Sequence, residues 1–154
     1  MGKNPTDRGK LGTKRRLLTD GGGVPIGLAV EGANRHDCKM ARETVESIPV
    51  VRPEPTPAAP QGLCLDKGYD YDAVRDLLAE FGFTAHIRAR GEEAKALKQD
   101  AGFRARRWVV ERTHSWMNRF RRVLIRWDKN VCNDLGLLHV ACAYITSKQS
   151  GLLG

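Results

Sequence analysis

Gln61-Gly62-Leu63-Cys64-Leu65-Asp66-Lys67-Gly68-Tyr69-Asp70 is the stretch around which the rest of the chain arranges itself. Its first five residues are short, apolar and bounded by turn formers, as a buried strand is. Asp66 falls immediately past the strand end, where its carboxylate points out of the core. Lys67 and Tyr69 follow closely enough to touch whatever binds at Asp66, while Gly68 makes this equally a turn whose shape is the point.

On the C-terminal side, Asp70 or Asp72 can cap a helix whose Val74, Leu77, Leu78 and Phe81 form an inward stripe, and Gly82 stops it. Thr84 to Arg90 reads as another strand. On the N-terminal side, five of the seven prolines lie between Pro49 and Pro60, which predicts an extended surface loop. Before that loop, Asp37 caps an expected helix from Cys38 to Ile48, with Met40, Ala41, Thr44, Val45 and Ile48 at helical spacing. Thr13–Thr19 and Pro25–Glu31 are β-compatible and separated by Asp20-Gly21-Gly22-Gly23, the pattern of an antiparallel hairpin. The first thirteen residues lack periodicity and read as loop. Beyond the polar stretch Gly91–Gly102, two helices are expected, Arg104–Arg121 and Asn133–Ser147, the second packing Leu135, Leu138, Ala141, Cys142 and Ile145. The order predicts an α/β protein with one mixed sheet flanked by helices. No internal repeat is visible, and the 154 residues suit one domain.

The net charge of +8 is unevenly spread. Residues 1–20 carry a net +4 and residues 101–130 a net +7, whereas residues 21–100 carry a net −3. Two basic segments on a slightly acidic body suit a polyphosphate partner, since Lys and Arg neutralise phosphates and release counterions; a merely solvated basic face is the alternative. Cys38, Cys64, Cys132 and Cys142 show no CxxC or Cys/His ligand spacing and read as small core residues in a reducing compartment. The longest apolar stretch, Leu135 to Ile145, contains His139 and is too short to span a bilayer, so no membrane partner is expected. With no leader in view, a soluble, intracellular protein is expected, cytoplasmic and associated with the nucleoid.

The helix predicted after Gly102 carries one acid among many bases. Arg107, Glu111, His114 and Asn118 share one side of it, while Val109, Thr113, Trp116, Met117 and Phe120 fall largely on another. Glu111 can form a salt bridge with Arg107 or Arg112. Alternatively, an acid surrounded by Arg104, Arg106, Arg107, Arg112, Arg119, Arg121 and Arg122 sits where phosphates are drawn in, and a divalent cation needs a carboxylate there. Mg²⁺ or Mn²⁺ prefers oxygen ligands and uses one or two protein carboxylates with substrate phosphate oxygens; Asp66 and Glu111 can supply such a pair. His86 and His139 have no evident catalytic partner and read as structural, and Trp108, Trp116 and Trp127 as packing anchors.

Four stretches together resemble the insertion-element transposases with an RNase H-like DDE domain. They are Asn4–Lys14 (NPTDRGKLGTK), Gly32–Asp37 (GANRHD), Leu63–Asp70 (LCLDKGYD) and Arg107–Arg122 (RWVVERTHSWMNRFRR). Asp-Lys-Gly-Tyr-Asp alone is moderately specific; followed at this interval by Val-Val-Glu-Arg-Thr and Phe-Arg-Arg it is strong. The resemblance implies that Asp66 is the second catalytic Asp and Glu111 the catalytic Glu, 45 residues later. Around that Glu the family often shows Tyr, Arg and Lys; Arg107 matches, whereas Arg104 and Asn118 depart. The family's first Asp lies on a strand preceding the Asn4 segment, so the resemblance implies an RNase H-like sheet incomplete at its N-terminus. Asp7 and Asp20, in loop and turn positions, are poor substitutes.

For the complete enzyme, the resemblance implies two metal ions held by three carboxylates, with Asp66 bridging them and Glu111 holding one. Water, and then a freed 3′-hydroxyl, attacks a phosphodiester in line. The expected partners are DNA of the element ends and target, an upstream transposase segment or the full-length transposase, and further copies of the chain. Lys14, Arg15, Lys67, Arg104, Arg107, Arg112, Arg119, Arg121 and Arg122 are the expected DNA contacts. Two rivals stand beside this reading: a non-catalytic DNA-binding or regulatory remnant, and a nuclease of the same class acting outside transposition.

Overall fold

The computed structural model describes residues 2–4, 8–35, 37–87 and 107–152, without the side chains of residues 37, 38 and 107. The glycine-rich turn produces the expected hairpin. Strands β2 (Leu11–Thr19) and β3 (Pro25–Gly32) pair antiparallel with Leu17 opposite Leu28, and a short β1 (Gly2–Lys3) joins β2 at Leu11 and Gly12. β1 lies inside the stretch expected to be loop, which its four glycines and prolines among thirteen residues had suggested. In the turn, Asp20 Oδ1 accepts from the Gly22 and Val24 amides at 2.8 Å each, and Gly23 takes φ 85°, a region L side chains avoid.

β4 (Gln61–Leu65) and β5 (Phe83–Ile87) are parallel neighbours joined through helix α2 (Asp72–Glu80). Val74, Leu77 and Leu78 are its buried stripe, as expected from their spacing. Its N-cap is Tyr71, whose side chain makes no capping bond to the helix; Asp70 instead pairs with Arg75 at 2.7 Å. The expected helix from Cys38 is a 3₁₀ turn (Asp37–Met40) followed by a short α1 (Ala41–Glu46). Residues 49–60 hold no strand or helix, only a Thr56–Ala59 bridge.

The long basic helix is two helices among the described residues, α3 (Arg107–Met117) and a one-turn α4 (Arg121–Leu124). Phe120 adopts an extended conformation (φ −85°, ψ 108°) between them and meets the Tyr144 ring edge-on at 5.6 Å. Helix α5 (Val131–Gln149) starts at Asn130, whose side chain accepts from the Cys132 amide at 2.9 Å.

Successive β2 residues face opposite cores. Leu17 packs against a cluster of Leu28, Met117, Val123, Leu138, Ala141 and Ile145, whereas Leu18 belongs to a cluster with Val45, Leu63, Val74 and Leu78. Helices α3–α5 therefore cover one side of the hairpin and α1–α2 the other, as expected for an α/β protein. The single mixed sheet expected from element order is instead two among the described residues, β1-β2-β3 and β4-β5. β2 and β4 are not ladder partners, and residues of both line one cavity.

Two residue expectations change. Cys64 and Cys132 are exposed rather than in the core, Cys64 because β4 turns alternate side chains outward. Trp127, 73% exposed, and Trp108, 52% exposed and set against the Arg112 guanidinium, are not core anchors. None of the described helices is long and apolar enough to cross a membrane.

Candidate functional site

β4 delivers Asp66 to its C-terminal end, where the chain bends into the 3₁₀ turn Lys67–Tyr69. Asp66 caps that turn, its Oδ1 accepting from the Gly68 amide at 2.8 Å, which leaves Oδ2 available. Helix α3 delivers Glu111 in its second turn, on the exposed side opposite buried Val109, Thr113 and Met117. Asp66 and Glu111 line the same cavity of about 320 Å³, together with Arg15, Arg16, Asp20 and His114.

What sets Glu111 against this cavity is how α3 grips the β2–β3 turn. The buried Thr113 hydroxyl lies 2.8 Å from the Gly23 carbonyl oxygen and 3.1 Å from that of Val109. Arg112 donates to the Gly22 carbonyl oxygen, and its guanidinium stands between Trp108 (4.6 Å) and Trp116 (4.8 Å). Glycine suits position 23 because of its φ of 85°, and a Cβ there would also push on the Arg112 guanidinium, 2.8 Å away at Nη2. Replacing Thr113 by Val removes the donor but keeps the shape, leaving the Gly23 carbonyl unsatisfied. A loss of about 1–3 kcal/mol in urea unfolding is expected, and unchanged stability would mean the turn is not held this way.

The expected DNA contacts divide into two groups. Arg112 is committed to the turn, and Arg15 donates to the Val123 carbonyl oxygen, tying β2 to α4. Lys14 donates to the Arg35 carbonyl oxygen at 3.3 Å. Lys67, Arg119, Arg121 and Arg122 are exposed and belong to no ion pair among the described residues, whereas Arg35, Arg42 and Arg75 pair with Glu31, Glu80 and Asp70. Arg104 and the Arg107 side chain lie outside the described residues. The anticipated Arg112–Glu111 salt bridge is replaced by the Gly22 contact.

His114 and Arg16 were not singled out for the site, although His114 shares the polar side of α3 with Glu111. Burial, followed by the neighbouring Arg15 and Arg16 charges, holds the His114 pKa below its ordinary value, so the imidazole is neutral at pH 7. Arg16 stands 5.7 Å from the Tyr69 ring centroid, linking β2 to the turn after Asp66. Asp20, committed to the hairpin turn, nevertheless reaches the cavity wall.

Two carboxylates, one at a strand end and one on a helix, thus border a single cleft with Arg15 and Arg16 on an α/β scaffold. The family model described as the transposase DDE domain matches residues 2–146. The chain is 33% identical over 147 residues to a protein of Burkholderia cepacia described as a transposase for insertion sequence element IS402, covering 94% of this chain and 67% of that protein. It is 24% identical over 134 residues to one of Brucella ovis described as a transposase for IS6501, covering 86% and 96%. No solved structure matches. The chain belongs to the DDE-domain transposases of insertion elements.

Proposed function

We propose that this chain is the carboxyl-terminal, catalytic portion of its transposase, with an RNase H-like domain whose first strand and first catalytic Asp come from an upstream segment. In this reading it carries out metal-dependent cleavage of element-end DNA and strand transfer into a target. The observation that carries the reading is that Asp66 and Glu111, 45 residues apart in the chain, line one cavity.

The two side chains suit Mg²⁺ or Mn²⁺: both are oxygen ligands, both are exposed, and Asp66 keeps one oxygen outside its cap. Such an ion supplies positive charge to a phosphate oxygen and lowers the pKa of a bound water. The resemblance to the DDE family implies three carboxylates, of which Asp66 and Glu111 are two, so a third ligand from elsewhere is part of the proposal. The chain's own contribution is to orient. The Gly68 amide steadies Asp66, the Thr113 and Arg112 contacts set the register of α3, and Lys67, Arg119, Arg121 and Arg122 offer charge to the DNA backbone.

Incubation with DNA bearing the element's terminal inverted repeats and Mg²⁺, with and without the polypeptide encoded immediately upstream, tests the proposal. Nicking that requires both the metal and the upstream polypeptide is expected, with little or none from the chain alone. Robust cleavage by the homogeneous chain alone removes the need for the upstream segment. DNA binding without nicking in any combination favours the non-catalytic remnant, a reading to which the four exposed cations also lend support. Joining of the cut end to target DNA separates a transposase from a simple nuclease.

A further inference from the structure

Trp127 is 73% exposed, although tryptophan is on average a highly buried side chain. Its neighbours fix its place. The Arg126 side chain turns inward to buried Asp134, 3.4 Å away, and donates to the carbonyl oxygens of Asp128 (2.8 Å) and Lys129 (3.4 Å). Residues 126–129 therefore wrap around one guanidinium, and the indole stays outside. Trp108 and Trp116 hold Arg112 between them, whereas the Trp127 ring stacks on no ring or cation among the described residues. A large apolar ring presented on a fastened loop marks a contact surface.

The ring lies on the wall of a second cavity, of about 360 Å³, lined by residues 11–13 at the start of β2 and residues 126–129. These belong to the two basic segments of the chain, residues 1–20 at net +4 and residues 101–130 at net +7, which the fold brings together here. Arg121 and Arg122 lie six and five residues before Trp127, and Lys129 two after it. All three are exposed and belong to no ion pair among the described residues. Leu11, 67% exposed, adds an apolar patch to the same wall, and Asp128 is its one acid. An aromatic face among cations is the composition that holds an unpaired nucleic-acid strand, whose bases stack on the ring while its phosphates follow the charges. An ordinary apolar protein surface would satisfy the ring and leave the cations unanswered.

We infer that this second cavity binds an unpaired nucleotide of a DNA strand, with the Trp127 indole as the stacking platform for its base and Lys129, Arg121 and Arg122 on the flanking phosphates. The inference rests on the proposed function only for DNA as the ligand; it needs neither carboxylate and no metal. β2 connects the two places. Residues 11–13 line this cavity and residues 15–19 the one that holds Asp66 and Glu111, so their nearer ends are two residues, or about 7 Å, apart on one strand. Stacking on a ring is tolerant of sequence, because every base has a π-face. It does distinguish an unpaired base, whose face is free, from one stacked inside a duplex. The cavity therefore favours DNA that is open or ends near the cleft over continuous duplex.

Two labelled DNAs test this by fluorescence anisotropy at low salt and without metal: a blunt duplex of about twenty base pairs, and the same duplex with a thymidine tail of about five nucleotides. The chain is expected to bind the tailed DNA more tightly, and Asp66→Asn to bind it equally well. Trp127→Ala should weaken the tailed complex on the order of ten-fold and leave the blunt one unchanged, whereas Trp127→Phe should keep most of the preference. A 2-aminopurine placed in the tail should be quenched by wild type and not by Trp127→Ala. Lys129→Gln should flatten the salt dependence of the tailed complex by about 0.7 in the log–log slope, one phosphate of a single strand. Three results overturn the site: no preference for the tail, Trp127→Ala weakening both DNAs alike, or Trp127→Ala weakening neither. If Trp127→Ala leaves DNA binding intact and instead breaks association with the upstream polypeptide, the surface belongs to a protein partner and the inference fails. Tail preference carried by Trp127, without metal-dependent nicking by the complemented chain, keeps the site and removes the catalytic reading. Nicking without tail preference does the reverse.

Discussion

Alanine at Asp66 or at Glu111 is expected to eliminate metal-dependent nicking by the complemented protein while DNA binding persists. Groups that merely orient a metal ligand cost 10–100-fold when removed, so the loss of a direct carboxylate ligand should exceed about 100-fold. Binding persists because Lys67, Arg119, Arg121 and Arg122 are untouched. Asp66→Ala has a second effect, since it deletes the acceptor for the Gly68 amide, and lost caps cost about 1 kcal/mol. Asp66→Asn separates the two, keeping an oxygen for Gly68 but removing the charge. The three variants should lose nicking alike, as measured on end-labelled inverted-repeat DNA. The pair Asp66→Ala with Glu111→Ala should be little worse than either alone, because ligands of one centre act as a unit. Nicking at the wild-type rate by any of the three would remove that residue from the site.

The largest effect on stability should come from a residue remote from this chemistry. Asp134 is 2% exposed in the first turns of α5, and its Oδ2 lies 3.4 Å from Arg126 Nε. That oxygen accepts no hydrogen bond, so the ion pair is its compensation. Arg126 in turn donates to the Asp128 carbonyl oxygen at 2.8 Å, fastening the approach to α5. Asp134→Ala leaves a guanidinium largely buried without its counter-charge, a change that typically costs about 3–5 kcal/mol. For a chain of this size that lowers the thermal midpoint by roughly 6–20 °C. The double variant Arg126→Met with Asp134→Leu should recover most of the loss, because two apolar groups need no mutual compensation. Calorimetry showing the single and double variants equally destabilised would mean that packing, rather than charge, sets the cost.

Elements whose cause is local were legible in the sequence. The hairpin follows from Asp20 and three glycines, β4 from an apolar run between turn formers, and α2 from the spacing of Val74, Leu77 and Leu78. Asp66 at a strand end and Glu111 on the polar side of its helix were legible for the same reason. Causes that act at a distance were not. Nothing near Phe120 breaks a helix; Tyr144 and the Val123 core draw the chain aside there. Arg112 looked like its arginine neighbours because its task depends on a carbonyl 90 positions earlier. Asp134 carries no sequence mark of burial, since an acid in a first helical turn is favourable to the helix dipole whether exposed or buried.

The outward placement of Cys64 makes the cleft its own chemical reporter. Cys64 is exposed on β4 and is one of the residues lining the cavity, so an occupant seated against that wall is expected to slow its alkylation. Cys132, exposed at the start of α5 and absent from the wall, reacts whatever the cleft holds and serves as an internal standard. Burial pushes the Cys142 thiol up to about 11, which keeps it protonated and silent at neutral pH. In a Cys38→Ser background, a fall in the ratio of label at Cys64 to label at Cys132 is the expected sign that the cleft has been filled, with no nucleic acid in the assay.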